Sequence, residues 1–389
     1  MADISTTYLG LKLESPLIAA SSGITGTVER MKRAQEQGIG AVVVKSMFEN
    51  SISRESPTPR FKIINRNLKS QRSFVFYSYE QASEFDIDRY AEEIYRAKKE
   101  LSIPVIPSIN CITDDGWKEY AKKMEEAGAD ALELNVSCPH GSIIFTGKDN
   151  VADEMVRITR MVRQTVQIPI TVKMSAQLTA PLIVAKGLQD AGTDGVVMFN
   201  RLVGLDIDID EEKPILHGGY AGHGGPWAIH YPLRWISEAS PVLNIDICGT
   251  SGVANYADVV KYILAGAKAV EFCTAIFLEG YVIIKEFNKG LGEWMDKKGY
   301  KSIEDFRGKV SGKAILGTNE IDRRHGKVAL IDEQKCIACG KCEKVCLYDS
   351  VVPSGGKFKI KDTCDGCGMC VQVCPVKAIE MVKYSNDFT

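Results

Sequence analysis

The stretch A-L-E-L-N-V-S-C-P-H, residues 131–140, decides how this chain is read. From Ala131 to Val136 it is apolar with little alternation, the pattern of a strand buried on both faces of a parallel sheet. Pro139 has no amide hydrogen to give a ladder, so the strand stops there. Asn135, Ser137 and Cys138 therefore stand at a strand end, a hydrogen-bonding clamp beside a proton donor. Barrels and doubly wound sheets place their chemistry at such rims. An isolated cysteine is more often a small buried hydrophobe, so the other strand ends must decide.

Working outward, apolar β-type runs alternate with helix-period segments up to about residue 296. The strand candidates are Leu17 to Ser21, Ala41 to Lys45, Val105 to Asn110, Ala131 to Ser137, Ile170 to Met174, Gly195 to Asn200, Leu243 to Gly249 and Ala269 to Ala275. Amphipathic segments such as Trp117 to Ala127, Val151 to Thr165, Leu182 to Ala191 and Asn255 to Ala265 lie between them, several ending in Ala-Gly. Eight such alternations predict an α/β fold, a TIM (β/α)8 barrel. A doubly wound sheet is the runner-up, but no G-x-G-x-x-G follows a strand, so no nicotinamide or FAD Rossmann site is expected.

In a barrel all eight C-terminal strand ends surround one pocket. Here they carry Ser21 and Ser22, Lys45 and Ser46, Asn110, then Asn135, Ser137 and Cys138, then Lys173, Asn200, Gly249 to Gly252, and Thr274 with Ala275. That set is too polar for packing alone. One lysine at a strand end is often a snorkelling surface residue; two, on strands two and five, suit the polar edge of a flat cofactor. The turn G-T-S-G-V after strand seven and the helix start C-T-A-I-F after strand eight suit a phosphate.

Composition removes other classes. A net charge of −2 over 389 residues gives no basis for nucleic-acid binding, and no apolar run reaches the roughly 18 residues of a membrane span. Of 12 cysteines, eight lie between Cys336 and Cys374 as C-x2-C-x2-C-x3-C twice, at 336, 339, 342, 346 and at 364, 367, 370, 374. This is the two-cluster ferredoxin run, in which the fourth cysteine of each set ligates the other cluster. Zinc would leave the third and fourth cysteines of each set unexplained. The metal-type spacing favours a reducing, cytoplasmic setting. The polar segment 311–326 reads as a linker between a barrel at 1–310 and a small α+β ferredoxin domain at 327–389.

Taken together, the strand-end motifs, with V-K-M on strand five, G-G-Y-A-G after strand six and G-T-S-G-V after strand seven, resemble the dihydroorotate dehydrogenase superfamily. With the cysteines added, the chain is similar to the FMN and iron–sulfur subunits of dihydropyrimidine dehydrogenases over nearly its whole length. The resemblance implies FMN held by residues matching Lys45, Lys173, Thr250, Gly252 and Thr274, with Ala20, Ser21, Ser46, Gly225, Gly249 and Ala275 beside them. It implies a pyrimidine on Asn135 and Asn200, with Ser137 and Asn110 near, proton transfer by Cys138, and two 4Fe-4S clusters. Electrons would come from an NAD(P)H- and FAD-containing partner subunit or a soluble ferredoxin, in a homodimer or hetero-oligomer. A dihydroorotate dehydrogenase, and an electron-transfer subunit without turnover, are the alternatives.

The pattern departs at three places. Arg201 stands where pyrimidine reducers have Thr or Ser, the segment after Asn110 is a residue shorter, and the lid reads S-I-I-F-T-G. The long segment 47–102 carries Arg54, Arg60, Lys62, Arg66, Lys69 and Arg72 and reads as a solvated basic loop. Asp206, Asp208 and Asp210 alternate with isoleucines, as in a half-exposed strand. Of His217, His223 and His230 near the glycine-rich turn, one is expected to touch ligand, without forming a metal site.

Replacing Cys138 with alanine is expected to lower turnover by about 10²- to 10⁴-fold, the usual worth of a positioned general acid. The visible flavin spectrum and its reduction should be nearly unchanged. Normal turnover would make Cys138 a packing residue.

Overall fold

The structure is a computed structural model that describes residues 2–50, 58–65, 73–79, 82–136, 151–216, 220–312 and 326–383. The chain divides into two compact units, Met1–Ile315 and Leu316–Thr389. Most of the expected linker lies outside the described residues. At its start, Ser311 Oγ donates to Ala265 O (2.6 Å), so that end packs on the first unit.

In the first unit eight parallel strands run β1 (Leu17–Ala19), β2 (Ala41–Val43), β3 (Val105–Ile106 and Ser108–Asn110), β4 (Leu132–Leu134), β5 (Ile170–Lys173), β6 (Gly195–Met198), β7 (Asp246–Thr250) and β8 (Ala269–Phe272). Pro107 splits β3, and the split closes the ring. The first half pairs with β2 (Val42 opposite Val105) and the second with β4 (Glu133 opposite Ser108), while β8 pairs with β1. Each strand is followed by a helix: α1 (Val28–Glu36), α2 (Ile87–Glu100), α3 (Asp114–Glu126), α4 (Val151–Thr165), α5 (Pro181–Asp190), α6 (His230–Ala239), α7 (Tyr256–Ala265) and α8 (Val282–Lys298). Side chains of Thr27, Asp86, Thr113 and Asn255 cap the amides that open α1, α2, α3 and α7. This is the predicted TIM barrel. Strand seven starts three residues later than expected, because Leu243 N still bonds Ala239 O at the end of α6.

One apolar layer fills the space between strands and helices; a second fills the barrel interior. The interior is sealed at its N-terminal end by the antiparallel pair Thr6–Tyr8 and Leu11–Leu13, which sends Tyr8, Leu9 and Leu13 against Ile18, Val43, Val197 and Cys248. Chemistry is thereby confined to the opposite rim. Aspartates at or just before strand starts tie neighbours together at the sealed end: Asp130 Oδ2 accepts from Val105 N (2.8 Å), Asp194 from Ile170 N (2.9 Å) and Asp246 from Leu9 N (2.8 Å).

The basic segment is more than the solvated loop expected of it. Its strands Phe61–Asn65 and Phe74–Ser78 join Ala221–Gly224 and Leu202–Gly204 in a four-stranded antiparallel sheet. The reason is apolar: Phe61 and Phe76 pack on Phe277, which follows β8. The aspartate-isoleucine alternation becomes Ile207–Asp208, paired with Lys213–Pro214. The second unit contains an antiparallel pair of its first and last strands, Lys327–Ile331 with Ile379–Lys383, a hairpin, Val351–Ser354 with Lys357–Ile360, and helices Lys341–Lys344 and Met369–Val373. No helix among the described residues is long and apolar enough to cross a membrane.

Asp130→Ala strands the buried Val105 amide. Urea denaturation should show a loss of about 1–3 kcal/mol, the cost of an unmet buried donor.

Candidate active site

The open rim holds one large cavity, walled by strand ends from around the barrel. Ala20 and Ser21 follow β1, and Lys45 and Ser46 follow β2. Asn135 follows β4, Lys173 ends β5, and Asn200 with Arg201 follows β6. Gly225 follows the cap sheet, while Thr250, Gly252, Thr274 and Ala275 close the ring. Two expected residues stand back. Asn110 does not line the cavity; its Nδ2 donates to Asn135 O (2.6 Å) and holds that backbone in place. Gly249 lies behind Thr250 on β7. Ser137, Cys138, the lid and His217 lie outside the described residues.

A hydrogen-bonded chain crosses the floor. Ser21 and Ser46 hydroxyls meet at 2.9 Å, Ser46 and Ser108 at 2.9 Å, and Ser108 Oγ donates to Glu133 Oε1 at 2.8 Å. Asn135 Nδ2 donates to Ser46 Oγ (3.0 Å) and Asn200 Nδ2 to Asn135 Oδ1 (3.2 Å). This fixes both asparagines. Lys173 Nζ sits between Glu271 Oε2 (2.7 Å) and Glu133 Oε2 (3.3 Å), with Glu133 and Glu271 fully buried. Burial works against the ammonium, but the two carboxylates outweigh it and hold the Lys173 pKa above the ordinary lysine value. Burial raises the Glu271 pKa to about 7; Lys173 opposes the rise and Glu133 adds to it.

The upper wall is what sequence reasoning missed. Phe74, Phe76 and Ser78 of the cap sheet line the cavity, as do Phe48, Phe199, His223, Phe272 and Phe277. The run F-V-F-Y-S carried the signal, being apolar and β-prone inside a segment judged by its charges. Arg201 Nη1 donates to Ser78 Oγ, and its side chain crosses Gly222, where a Cβ would lie 2.1 Å from Nε. No carboxylate pairs with Arg201 among the described residues. His223 stacks between Tyr77 (centroids 5.3 Å apart) and Trp227 (6.1 Å). Burial lowers the His223 pKa, and its Nδ1 has no partner among the described residues.

The residues fit a phosphate-bearing flavin. Gly252 has φ +71°, and a Cβ there would come within 2.5 Å of Ile229 N, so backbone alone can form this wall. Tyr262 Oη pins the turn, donating to Thr250 O (2.8 Å) and Ser251 O (2.6 Å). Aromatic side walls and the Lys173 ammonium complete a slot for a flat ring with one polar edge.

In the second unit the cysteines surround two small cavities. One is lined by Cys336, Cys339, Cys342 and Cys374, the other by Cys346, Cys364, Cys367 and Cys370. Each takes three cysteines from one motif and the fourth from the other. The two exchanged sulfurs accept matching amides, Cys346 Sγ from Ser350 N (3.3 Å) and Cys374 Sγ from Ala378 N (3.2 Å).

A TIM barrel with this polar rim, joined in one chain to such a cysteine unit, is the architecture of a flavin-type iron–sulfur oxidoreductase. The chain belongs to the dihydroorotate dehydrogenase family, which matches residues 3–295, and a 4Fe-4S dicluster domain matches residues 329–381. It is 33% identical to the dihydroorotate dehydrogenase B (NAD(+)) catalytic subunit of Thermoplasma volcanium over 79% of this chain and 98% of that one. The corresponding Pyrococcus furiosus protein is 28% identical over 78% and 98%. The NAD-dependent dihydropyrimidine dehydrogenase subunit PreA of Escherichia coli (strain K12) is 28% identical over 97% of this chain and 95% of its own.

If the cavities are filled as they are lined, Cys336→Ala and Cys374→Ala damage the same centre. Each variant, and the double variant, should retain about half the iron after anaerobic reconstitution. Loss of nearly all iron in the double variant alone would mean that each motif serves its own centre.

Proposed function

We propose that this chain exchanges hydride with an activated CH–CH bond of a pyrimidine-like ring and draws its electrons through its cysteine-rich unit. The carrying observation is the convergence of Lys173, Asn135, Asn200 and Arg201 on one cavity. When bound, FMN supplies the hydride chemistry and joins one-electron delivery to two-electron reduction. Lys45 and Lys173 hold its polar edge, while the Thr250 to Gly252 turn with Thr274 and Ala275 receives its phosphate. Ala20, Ser21, Ser46 and Gly225 complete the walls. Asn135 and Asn200 each offer a donor and an acceptor, matching the alternating N–H and C=O edge of a pyrimidine. Cys138, with Ser137 beside it, moves the proton at the second carbon. A thiol of ordinary pKa is mostly protonated at neutral pH, which suits an acid in the reducing direction.

The exchanged cavities, lined by Cys336, Cys339, Cys342 and Cys374 and by Cys346, Cys364, Cys367 and Cys370, would hold two 4Fe-4S clusters, which would supply one-electron delivery. Their donor is a partner subunit carrying FAD and an NAD(P)H site, or a soluble ferredoxin. The full-length likeness to PreA, named as a subunit of an NAD-dependent enzyme, supports the first.

Arg201 favours a second reading within the same chemistry. A guanidinium that lines the pocket with no carboxylate partner among the described residues suits a ring bearing a carboxylate, as in dihydroorotate.

The test is anaerobic purification, a visible spectrum, and turnover of uracil, thymine and orotate by dithionite-reduced protein. A flavin spectrum with turnover of one of these rings is expected; no turnover of any leaves an electron-transfer subunit. Uracil should be a poor substrate beside a carboxylated ring. Arg201→Leu should raise the KM for the carboxylated ring by about 10- to 100-fold, as loss of a charge-assisted hydrogen bond implies. Equal handling of uracil and orotate by the native protein would remove Arg201 from substrate choice.

A further inference from the structure

Beneath the cavity the barrel encloses one cation and two carboxyl groups. Glu133 comes from the middle of β4, Lys173 from the end of β5 and Glu271 from β8, and Lys173 bridges the two acids. Were both acids ionised, the cluster would carry a net negative charge with no water to solvate it, which burial opposes strongly. The hydrogen bonds point the same way. Each Glu133 oxygen accepts a hydrogen bond, Oε1 from Ser108 and Oε2 from Lys173. Glu271 Oε2 accepts from Lys173, but Glu271 Oε1 is buried and meets no donor among the described residues. Both acids meet the same ammonium, Lys173 Nζ lying 3.3 Å from Glu133 Oε2 and 2.7 Å from Glu271 Oε2. A buried carboxyl oxygen with no donor, next to another carboxylate, is satisfied when it carries the proton itself.

We propose that Glu271, beside Glu133 and Lys173, is the proton-holding acid under the pocket floor, and that, acting through Lys173, it takes up its proton as negative charge collects in the pocket. The bond formed is the O–H of the Glu271 carboxylic acid, the bond broken is an O–H of solvent hydronium, which leaves water, and the two electrons go to the cofactor from its reductant. Proton loading leaves Lys173 with one carboxylate partner instead of two, so more of its charge is directed upward at the cavity. Glu271 is thus a positioning residue.

The other groups facing the pair do not compete for the proton. The Cys248 thiol on β7 and the Tyr8 phenol of the sealing hairpin are both fully buried, and burial pushes both pKa values well up, so they stay neutral. The Tyr90 hydroxyl, against the Ser108 backbone, is likewise held neutral by burial. From β1, β2 and β6 the facing residues Ile18, Val43 and Val197 are apolar. The pH window follows. Glu271 titrates near 7 before charge arrives. Below that pH the proton is already in place, and above it reduction must bring one in.

The test uses the holoprotein and Glu271→Gln, which keeps the shape and removes the ionisation. Infrared titration of the native oxidised protein should show a protonated-carboxyl band growing as pH falls through about 7, absent in Glu271→Gln. In redox titrations, the native midpoint potential should fall more steeply above about pH 7, by about 30 mV per pH unit, since one more proton per two electrons is a tenfold change in the equilibrium per unit. Glu271→Gln should keep a single shallower slope. Equal slopes in the two proteins, or two carboxylates ionised throughout the native titration, would overturn the proposal. If Glu271→Gln fails to fold, the native infrared titration still decides. The redox arm rests on the flavin reading of the pocket; the infrared arm does not. A missing flavin spectrum would therefore sink that reading and leave the Glu271 proton standing.

Discussion

A lysine ammonium taken out of water governs this barrel. Lys173 is 7% exposed, and such a charge survives burial only with counter-charge supplied by the fold itself. Glu133 and Glu271 supply it from β4 and β8, strands on either side of β5 but not both adjacent to it, so the ring must close before the charges can meet. Closure in turn depends on the break at Pro107, which lets one strand pair with β2 below and β4 above. The sealed hairpin end and the hydroxyl chain of the floor follow from the same requirement, since every buried polar group there must find a partner inside the barrel.

Much of this was legible in the sequence because it is periodic or fixed by spacing. The eight strands were readable as short apolar runs ended by polar residues, and the rim residues followed once a barrel was assumed. The cysteine spacing carried its own meaning. Glu133 and Glu271 were passed over for the reason that makes them important. Each is a lone acid within an apolar strand, L-E-L and V-E-F, and periodicity treats such a residue as noise. Buried charge does not come free, so a single carboxylate in a strand enclosed on both faces signals a hidden cation. The cap sheet was illegible for another reason. Its four strands come from insertions after β2 and β6 that are far apart in sequence, and local charge in 47–102 outweighed two aromatic runs whose partner, Phe277, lies two hundred residues away.

The pocket joins two kinds of order. Its floor is polar, with each asparagine held by named partners, whereas its roof is aromatic and carries Arg201 and His223, which among the described residues have bonding capacity to spare. A ligand seated there meets a rigid hydrogen-bonding pattern on one side and an adaptable cationic and aromatic surface on the other. The roof is where a relative with a different substrate would differ.

The exchange of cysteines between the two motifs of the C-terminal unit has a topological consequence. A centre bound by Cys336 and Cys374 ties the chain into a loop of about 40 residues, and one bound by Cys346 and Cys370 lies inside that loop. Bridges of this size restrict an unfolded chain by roughly 3–5 kcal/mol when covalent, and strong metal–thiolate bonds act in the same sense. The small unit has only a handful of buried apolar residues, two of them cysteines, so nested loops would supply much of the cohesion that its core cannot. Loss of one centre would then loosen the ring that holds the other, and the inorganic content of this unit would be as much its skeleton as its wire.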